Sequence, residues 1–166
     1  ALCRALVAGA LFAASLAAYA EVPSHAFLAW DDAGYVASNP RVAEGLTLAN
    51  ARWALTTFQQ TNWHPLTWLS FLLDGSLYGL DPVGHHWTNV WMHGVNAVLL
   101  FLVLDAMTGA AGRSALVAAL FALHPLRVES VAWVAERKDV LSTLFALLAI
   151  AAYVRWARTG ARGWYA

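Results

Sequence analysis

Long stretches of apolar residues with few charges constrain this chain more than any other feature of its sequence. Such runs lie at residues 2–20, 90–107 and 140–156, and a shorter run covers residues 114–125. A helix needs about 20 apolar residues to cross the hydrocarbon core of a bilayer. Charged residues make up only 12% of the chain, whereas an ordinary soluble domain has about 25%. The sequence therefore predicts an all-α integral membrane protein with about four transmembrane helices.

The charge balance and the cysteine count exclude two classes of protein. Ten Lys and Arg residues balance ten Asp and Glu residues. Without a basic excess the chain offers no electrostatic surface to a nucleic-acid backbone, so nucleic acid is not an expected partner. The single cysteine, Cys3, excludes an internal disulfide and a Cys-based metal cage. Burial or contact with lipid must therefore stabilise the fold.

The first apolar run, residues 2–20, is compatible with two functions. A basic start at Arg4 and the small-residue sequence Ala18-Tyr19-Ala20 are typical of a secretory signal peptide with its cleavage site. The run is longer than the usual signal core of about 7–15 residues, and more spans follow it. We therefore expect a retained first span, with residue 21 outside the cytoplasm under either interpretation.

A large external loop is predicted between the first two spans, over residues 21–88. It carries two interfacial helices, one within residues 46–58 and one that begins at Pro65, a favourable first helical residue, and ends at Asp74-Gly75. The second helix is expected to align four leucines on one face: Leu66, Leu69, Leu72 and Leu73. Five tryptophans are candidates for an aromatic belt at the membrane surface, with an ordinary amphipathic core as the alternative: Trp53, Trp63, Trp68, Trp87 and Trp91.

The third run is too short to cross alone and is interrupted by His124-Pro125, which leaves residues 126–139 as a second external segment. Orientation follows from the basic residues, once loops longer than about 60 residues are discounted. The cytoplasmic set is then Arg4, Arg113, Arg155, Arg158 and Arg162, and the external set is Arg127, Arg137 and Lys138. The N-terminus is therefore expected inside, with both loops outside.

Two adjacent carboxylates, Asp31 and Asp32, follow the first span closely. Neighbouring carboxylates that are partly desolvated repel one another, which raises one pKa and can create a general base near neutral pH. The alternative is a turn or a helix cap before Gly34, because Asp is common at both positions. The residues alone favour the turn or cap.

A second polar cluster lies in the segment 124–139. If the segment is helical from Leu126, then Glu129, Trp133 and Glu136 share one face. Arg137 and Lys138 are candidates to meet an anionic phosphate, and Glu129 is a candidate to orient a sugar hydroxyl or to bind a cation. The alternative for residues 136–139 is a solvated interfacial helix with local ion pairs.

The histidines match no compact metal motif. The cofactor is therefore left unknown, with a divalent cation as a candidate. Asn89, His93 and Asn96 lie on one helical stripe of the second span, which predicts a polar seam that faces other helices.

Three motifs make the chain resemble the membrane part of bacterial tetratricopeptide-repeat proteins. They occupy residues 62–70 (NWHPLTWLS), 84–89 (GHHWTN) and 120–142 (LFALHPLRVESVAWVAERKDVLS). That family is related to the transmembrane and tetratricopeptide-repeat protein O-mannosyltransferases of the glycosyltransferase C superfamily. We therefore expect residues 1–166 to be the N-terminal part of a transmembrane glycosyltransferase-like domain whose later spans and repeats are not in this sequence, so that the chain alone need not be active.

The resemblance implies a multi-pass enzyme of the bacterial inner membrane with its active face on the periplasmic side. It would move a sugar, mannose in the related enzymes, from a polyprenyl-phosphate donor to a hydroxyl of an exported protein. Asp31 and Asp32 fall on the family's catalytic acidic pair. The candidate substrate-binding residues are His64, His124, Arg127, Glu129, Glu136, Arg137 and Lys138. The alternative is a non-catalytic membrane protein, either a transporter fragment or a periplasmic scaffold.

Overall fold

The computed structural model describes residues 2–160 as helices joined by short connections, without a β-strand among them. Arg162, predicted to be cytoplasmic, lies outside the described residues. The α-helices of the described part are α1 Leu2–Ala18, α2 Pro40–Glu44, α3 Leu48–Thr56, α4 Pro65–Tyr78, α5 Pro82–Thr108, α6 Ala111–Leu123, α7 Val128–Ala132 and α8 Arg137–Thr159. The predicted all-α class is confirmed.

Three helical stretches of the described residues are long and apolar enough to cross a membrane: Leu2–Ser24, Pro82–Thr108 and Val134–Thr159. A fourth is formed if α6 counts together with residues Pro125–Ala132, to which it is bent by 55°. The bend lies at His124, whose extended backbone (ψ 129°) is the conformation that a following proline favours. The chain is thus a multi-pass, all-α membrane protein, as its composition predicted.

The described residues divide into two compact units. The first contains residues 2–18, 91–127 and 140–160. Its core joins α1, α5 and α6 through Leu11, Phe101 and Ala118, and the ring of Phe12 lies 4.9 Å from that of Trp91. Arg4 binds Asp105 at 2.6 Å. Residues 2–18 therefore pack against this unit along one face, where Leu11 and Ser15 are buried.

Buried polar side chains in the first unit are paired with backbone carbonyls. His93 donates from Nε2 to the carbonyl of Ala122 at 3.0 Å, and Asn96 donates to the carbonyl of Val140 at 2.8 Å. Each bond joins α5 to another helix. The polar seam predicted along α5 is therefore present at these two positions.

The second unit contains residues 19–90 and 128–139 and has an aromatic core. Trp68 is fully buried there, with its ring 5.2 Å from Tyr35 and 4.9 Å from Trp53. The belt interpretation is therefore wrong for Trp68, whereas Trp63 is 59% exposed. The spacing of the tryptophans along the sequence cannot distinguish a buried position from an exposed one, because the burial of Trp68 depends on residues far away in the sequence.

Helix α4 begins at Pro65 as predicted but continues through Asp74 and Gly75 to Tyr78. A Cβ atom on Gly75 would lie 2.0 Å from the carbonyl oxygen of Val42, so the glycine serves close packing between α2 and α4. The expected leucine face is also wrong in part, since Leu66 and Leu73 are about half exposed. The buried face instead carries Thr67, Trp68, Phe71, Leu72, Asp74 and Gly75.

The segment after α6 is broken rather than continuously helical. Helix α7 ends at Ala132, Trp133 is extended (ψ 118°), and a short 3-10 turn covers Val134–Glu136. The expected common face of Glu129, Trp133 and Glu136 is therefore wrong, because the extended residue interrupts the helical spacing.

Candidate functional site

The acidic pair lies in helical backbone at the entry to a π-helical turn, Ala33–Ala37. The side chain of Asp32 is fully buried and does not cap that turn. Its Oδ2 accepts a hydrogen bond from the N–H of Leu28 at 2.9 Å, and its Oδ1 accepts one from the N–H of Ala135 at 2.8 Å. Asp32 thus ties the loop after the first span to the segment before α8.

The two carboxylates of the pair have different surroundings. Burial raises the pKa of Asp32, and the two backbone N–H groups offset part of that rise. A positive charge on His86 also lowers the pKa of Asp32, whereas the neighbouring Asp31 raises it. Asp31 itself is only partly buried. The pair therefore combines one anchored carboxylate with one that solvent can reach.

Tyr35, three residues beyond Asp32, connects the pair to a wider polar group. Its side chain is hydrogen-bonded with Asn62. Burial raises the pKa of Tyr35 most, whereas the charge of Lys138 lowers it, and Asp31 and Glu136 raise it further. The charges of Asp31, Glu136 and Lys138 therefore all act on the Tyr35 hydroxyl.

His64 lies at the edge of the same group, with its ring 5.5 Å from that of Tyr35 and 5.4 Å from that of Trp68. Burial lowers the pKa of His64, and the charge of Lys138 lowers it further. The imidazole is therefore neutral at pH 7. Its Nε2 atom is buried without a hydrogen-bond partner among residues 2–160.

The neighbouring cations differ sharply in accessibility. The ammonium of Lys138 binds Glu136 at 2.6 Å, and its side chain is 37% exposed. The side chain of Arg137 is fully buried, and it bonds to Asp74, Asn89 and the carbonyl of His85. Of these two cations Lys138 is thus the accessible one, whereas Arg137 occupies a structural position that the sequence did not indicate.

A strained loop borders this group. Gln60 (φ 59°) and Thr61 (φ 63°) both have left-handed backbone, which is uncommon outside glycine. The side chain of Gln60 packs against Gly34, where a Cβ would lie 1.8 Å from the Gln60 Nε2 atom and the glutamine side chain would have to move. The sequence reasoning missed Tyr35, Gln60 and Asn62, and the position of Asn62 in the motif NWHP was the one available signal.

The remaining predicted residues are not part of this group. Glu129 is exposed at the start of α7. His124 and Arg127 belong to the other compact unit. There the Nδ1 of His124 accepts a hydrogen bond from Leu126, and the guanidinium of Arg127 lies 4.5 Å from the centre of the Phe121 ring. Within residues 2–160, no three His, Cys, Asp or Glu side chains are placed to hold a metal ion.

Comparison with known sequences identifies relatives of one kind. Protein O-mannosyl-transferase TMTC1 of Mus musculus is 34% identical over 142 residues, which cover 80% of this chain and 15% of the relative. Protein O-mannosyl-transferase Tmtc1 of Drosophila melanogaster is 38% identical over 94 residues, covering 57% of this chain and 11% of the relative. Protein O-mannosyl-transferase TMTC3 of Homo sapiens is 35% identical over 95 residues, covering 57% and 10%.

The predicted resemblance to protein O-mannosyltransferases is therefore confirmed. The chain matches between 10% and 15% of the length of these relatives. No family profile and no solved structure matches the chain.

Proposed function

We propose that this chain forms part of a membrane glycosyltransferase that moves a sugar from a polyprenyl-phosphate donor to a Ser or Thr hydroxyl of an exported protein. The relatives' names support glycosyl transfer to protein, with mannose as the sugar. The enzyme would lie in the bacterial inner membrane with its active face outside. Acidic residues at that face are what such chemistry needs, because an attacking hydroxyl must lose its proton.

The observation that carries the proposal is the asymmetry of the acidic pair. Asp32 is fully buried and held by two backbone N–H groups, so it is an anchor. Asp31 is beside it and partly exposed, so it can reach an incoming hydroxyl. In the proposed step Asp31 takes the hydroxyl proton, the oxygen bonds to the anomeric carbon, and the bond from that carbon to the phosphate oxygen breaks with its electron pair.

The departing phosphate requires positive charge. Lys138 is the best candidate in the second unit, because it is partly exposed and its charge acts on the Tyr35 hydroxyl. His64, neutral and with an unpaired buried nitrogen, is proposed to bind a sugar hydroxyl. Glu136 would hold Lys138 in place through their ion pair. His124, Arg127 and Glu129 stay predictions from the motif.

Single substitutions in the full-length gene product test the acidic pair. Asp31→Asn should lower sugar transfer by about 10²–10⁴-fold, because asparagine keeps the size of the side chain but cannot accept the proton. Asp32→Asn should also lower transfer, because an amide offers one oxygen where Asp32 accepts from two N–H groups. The measurement is transfer from a polyprenyl-phosphate sugar to acceptor protein in membranes, normalised to the amount of inserted enzyme.

Asp81→Asn is the matched control. Asp81 is exposed, and its side chain accepts a hydrogen bond from the N–H of Val83 at the start of α5. Asparagine fills such a capping position about as well as aspartate, so transfer should stay at the wild-type level. Wild-type transfer by both acidic-pair variants would instead remove the catalytic assignment and leave Asp31 and Asp32 as structural residues, whereas no transfer by the wild-type enzyme would favour the non-catalytic alternative, a transporter part or a scaffold.

A further inference from the structure

We propose that Asp74 and Arg137 are positioning residues, which hold the segment 133–137 against Asp32 and so fix the geometry of the acidic pair. This inference rests on the proposed function. Neither Asp74 nor Arg137 is among the residues proposed to meet the sugar donor or the acceptor.

The guanidinium of Arg137 is bound on three sides inside the second unit. Nε donates to Oδ1 of Asn89 at 2.8 Å, one terminal nitrogen donates to Asp74, and the other donates to the carbonyl of His85 at 2.7 Å. Its plane also lies 4.6 Å from the centre of the Phe71 ring. This many directional bonds determine where the backbone of Arg137 can lie.

Asp74 is fixed with comparable precision from the other side. Its Oδ1 accepts a hydrogen bond from the hydroxyl of Thr88 at 2.9 Å, and Nδ1 of His85 lies 3.5 Å from its Oδ2. Burying two charges costs free energy, and well-packed apolar residues in their place are often as stable. A gain in folding stability is therefore a weak explanation for the ion pair of Asp74 and Arg137. Fixing the position of the Arg137 backbone explains it better.

Asn89 links Arg137 to the backbone segment that contacts Asp32. It accepts from Arg137 and donates from Nδ2 to the carbonyl of Trp133 at 3.2 Å, so one side chain clamps both ends of the segment 133–137. The N–H of Ala135, between the two clamped ends, donates to Oδ1 of Asp32. Lys138 follows directly after Arg137 in the chain. Loss of the clamp would therefore loosen both the anchor of Asp32 and the proposed phosphate ligand.

A double substitution separates positioning from folding. Asp74→Asn with Arg137→Met leaves no unpaired buried charge but removes the three-sided clamp. We expect the inserted enzyme to show a fall in kcat of about 10²-fold, as small misplacements of catalytic groups produce, with a smaller change in KM for the donor. The control is Arg4→Gln with Asp105→Asn, which removes the ion pair between α1 and α5 in the other unit and should leave both constants near wild type.

The pH profile of transfer adds a readout that a purely structural pair would not change. Two N–H donors and the charge of His86 favour the ionised form of Asp32, whereas the charge of Asp31 disfavours it. Loss of the hydrogen bond from the N–H of Ala135 raises the pKa of Asp32, so Asp32 ionises at higher pH. The acid limb of the profile should therefore move to higher pH in the double variant and stay in place in the control.

Amide hydrogen exchange of residues 133–136 in detergent-purified protein is the measurement that does not require activity. The double variant should lose protection there while the control retains it. If wild-type enzyme transfers no sugar, the proposed function fails and the exchange result still decides the positioning role. If the double variant is not recovered folded, Arg137→Lys replaces it, since lysine keeps the charge but cannot reach Asn89 and His85 together. Wild-type exchange, kcat and acid limb in the folded variant would overturn the inference.

Discussion

Single residues in this chain take their roles from distant partners. In the sequence, Gly75 is predicted to end the helix. In the structure it lies inside α4, where the backbone of Val42 passes directly over it. The sequence predicts that Arg137 is a phosphate ligand. In the structure its partner Asp74, 63 positions earlier in the chain, holds it in the interior.

Gly75→Ala should destabilise the fold by about 1–3 kcal/mol, the usual cost of overpacking a tight contact. The added Cβ would lie 2.0 Å from the carbonyl oxygen of Val42, a backbone atom that cannot rotate away. Gly112→Ala is the matched control, because Gly112 is also helical and a Cβ there meets nothing within 4 Å. Thermal unfolding in detergent, followed by tryptophan fluorescence, measures both. Equal midpoints for the two variants would show that α2 and α4 are not in close contact at Gly75.

At the scale of single side chains, the sequence predicts the acidic pair but not its environment. Asp31 and Asp32 are adjacent, so a local pattern reveals them. The partner of Asp32, Ala135, is identified only by the fold, because a hydrogen bond between residues 103 positions apart leaves no local signal.

At the scale of helices, a hydrophobic run predicts that a helix exists better than it predicts where the helix begins and ends. Helix α5 begins at Pro82 rather than at residue 90, because Asp81 accepts a hydrogen bond from Val83 and so starts the helix early. The proline after His124 predicts a break, and the chain bends there by 55°. The extended conformation of Trp133 carries no such marker, since neither proline nor glycine is next to it.

Helix α1 should remain attached in the mature protein. Its residues contribute Leu11 to a core and Arg4 to an ion pair with Asp105, and the ring of Phe12 fills the space over Gly94. A cleaved signal peptide would leave these surfaces empty. Intact-mass measurement on membrane-purified protein checks this, and a mature chain that begins at Glu21 would contradict it.

At the scale of the whole molecule, the distribution of basic residues predicts the orientation. Arg113 and Arg158 should face the cytoplasm, whereas Asp31 and Glu129 should lie outside. Cysteines placed at these four positions on a Cys3→Ser background should react with an impermeant thiol reagent in intact cells only at 31 and 129. Arg113, Arg158 and Glu129 are exposed, so reagent access does not limit the comparison. Reaction at 113 without reaction at 31 would reverse the orientation.

The bend at His124 has an electrostatic consequence. Helix α6 has 13 residues, a length of about 20 Å at 1.5 Å per residue, whereas the low-dielectric layer of a bilayer is about 30 Å thick. Residues 124–129 are exposed and irregular or only briefly helical, and such backbone is not stable against lipid tails. We therefore expect a thinner insulating layer beside α6 than beside α5 or α8. An ion or a phosphate that approaches the membrane here would then lose less of its hydration than beside the longer helices.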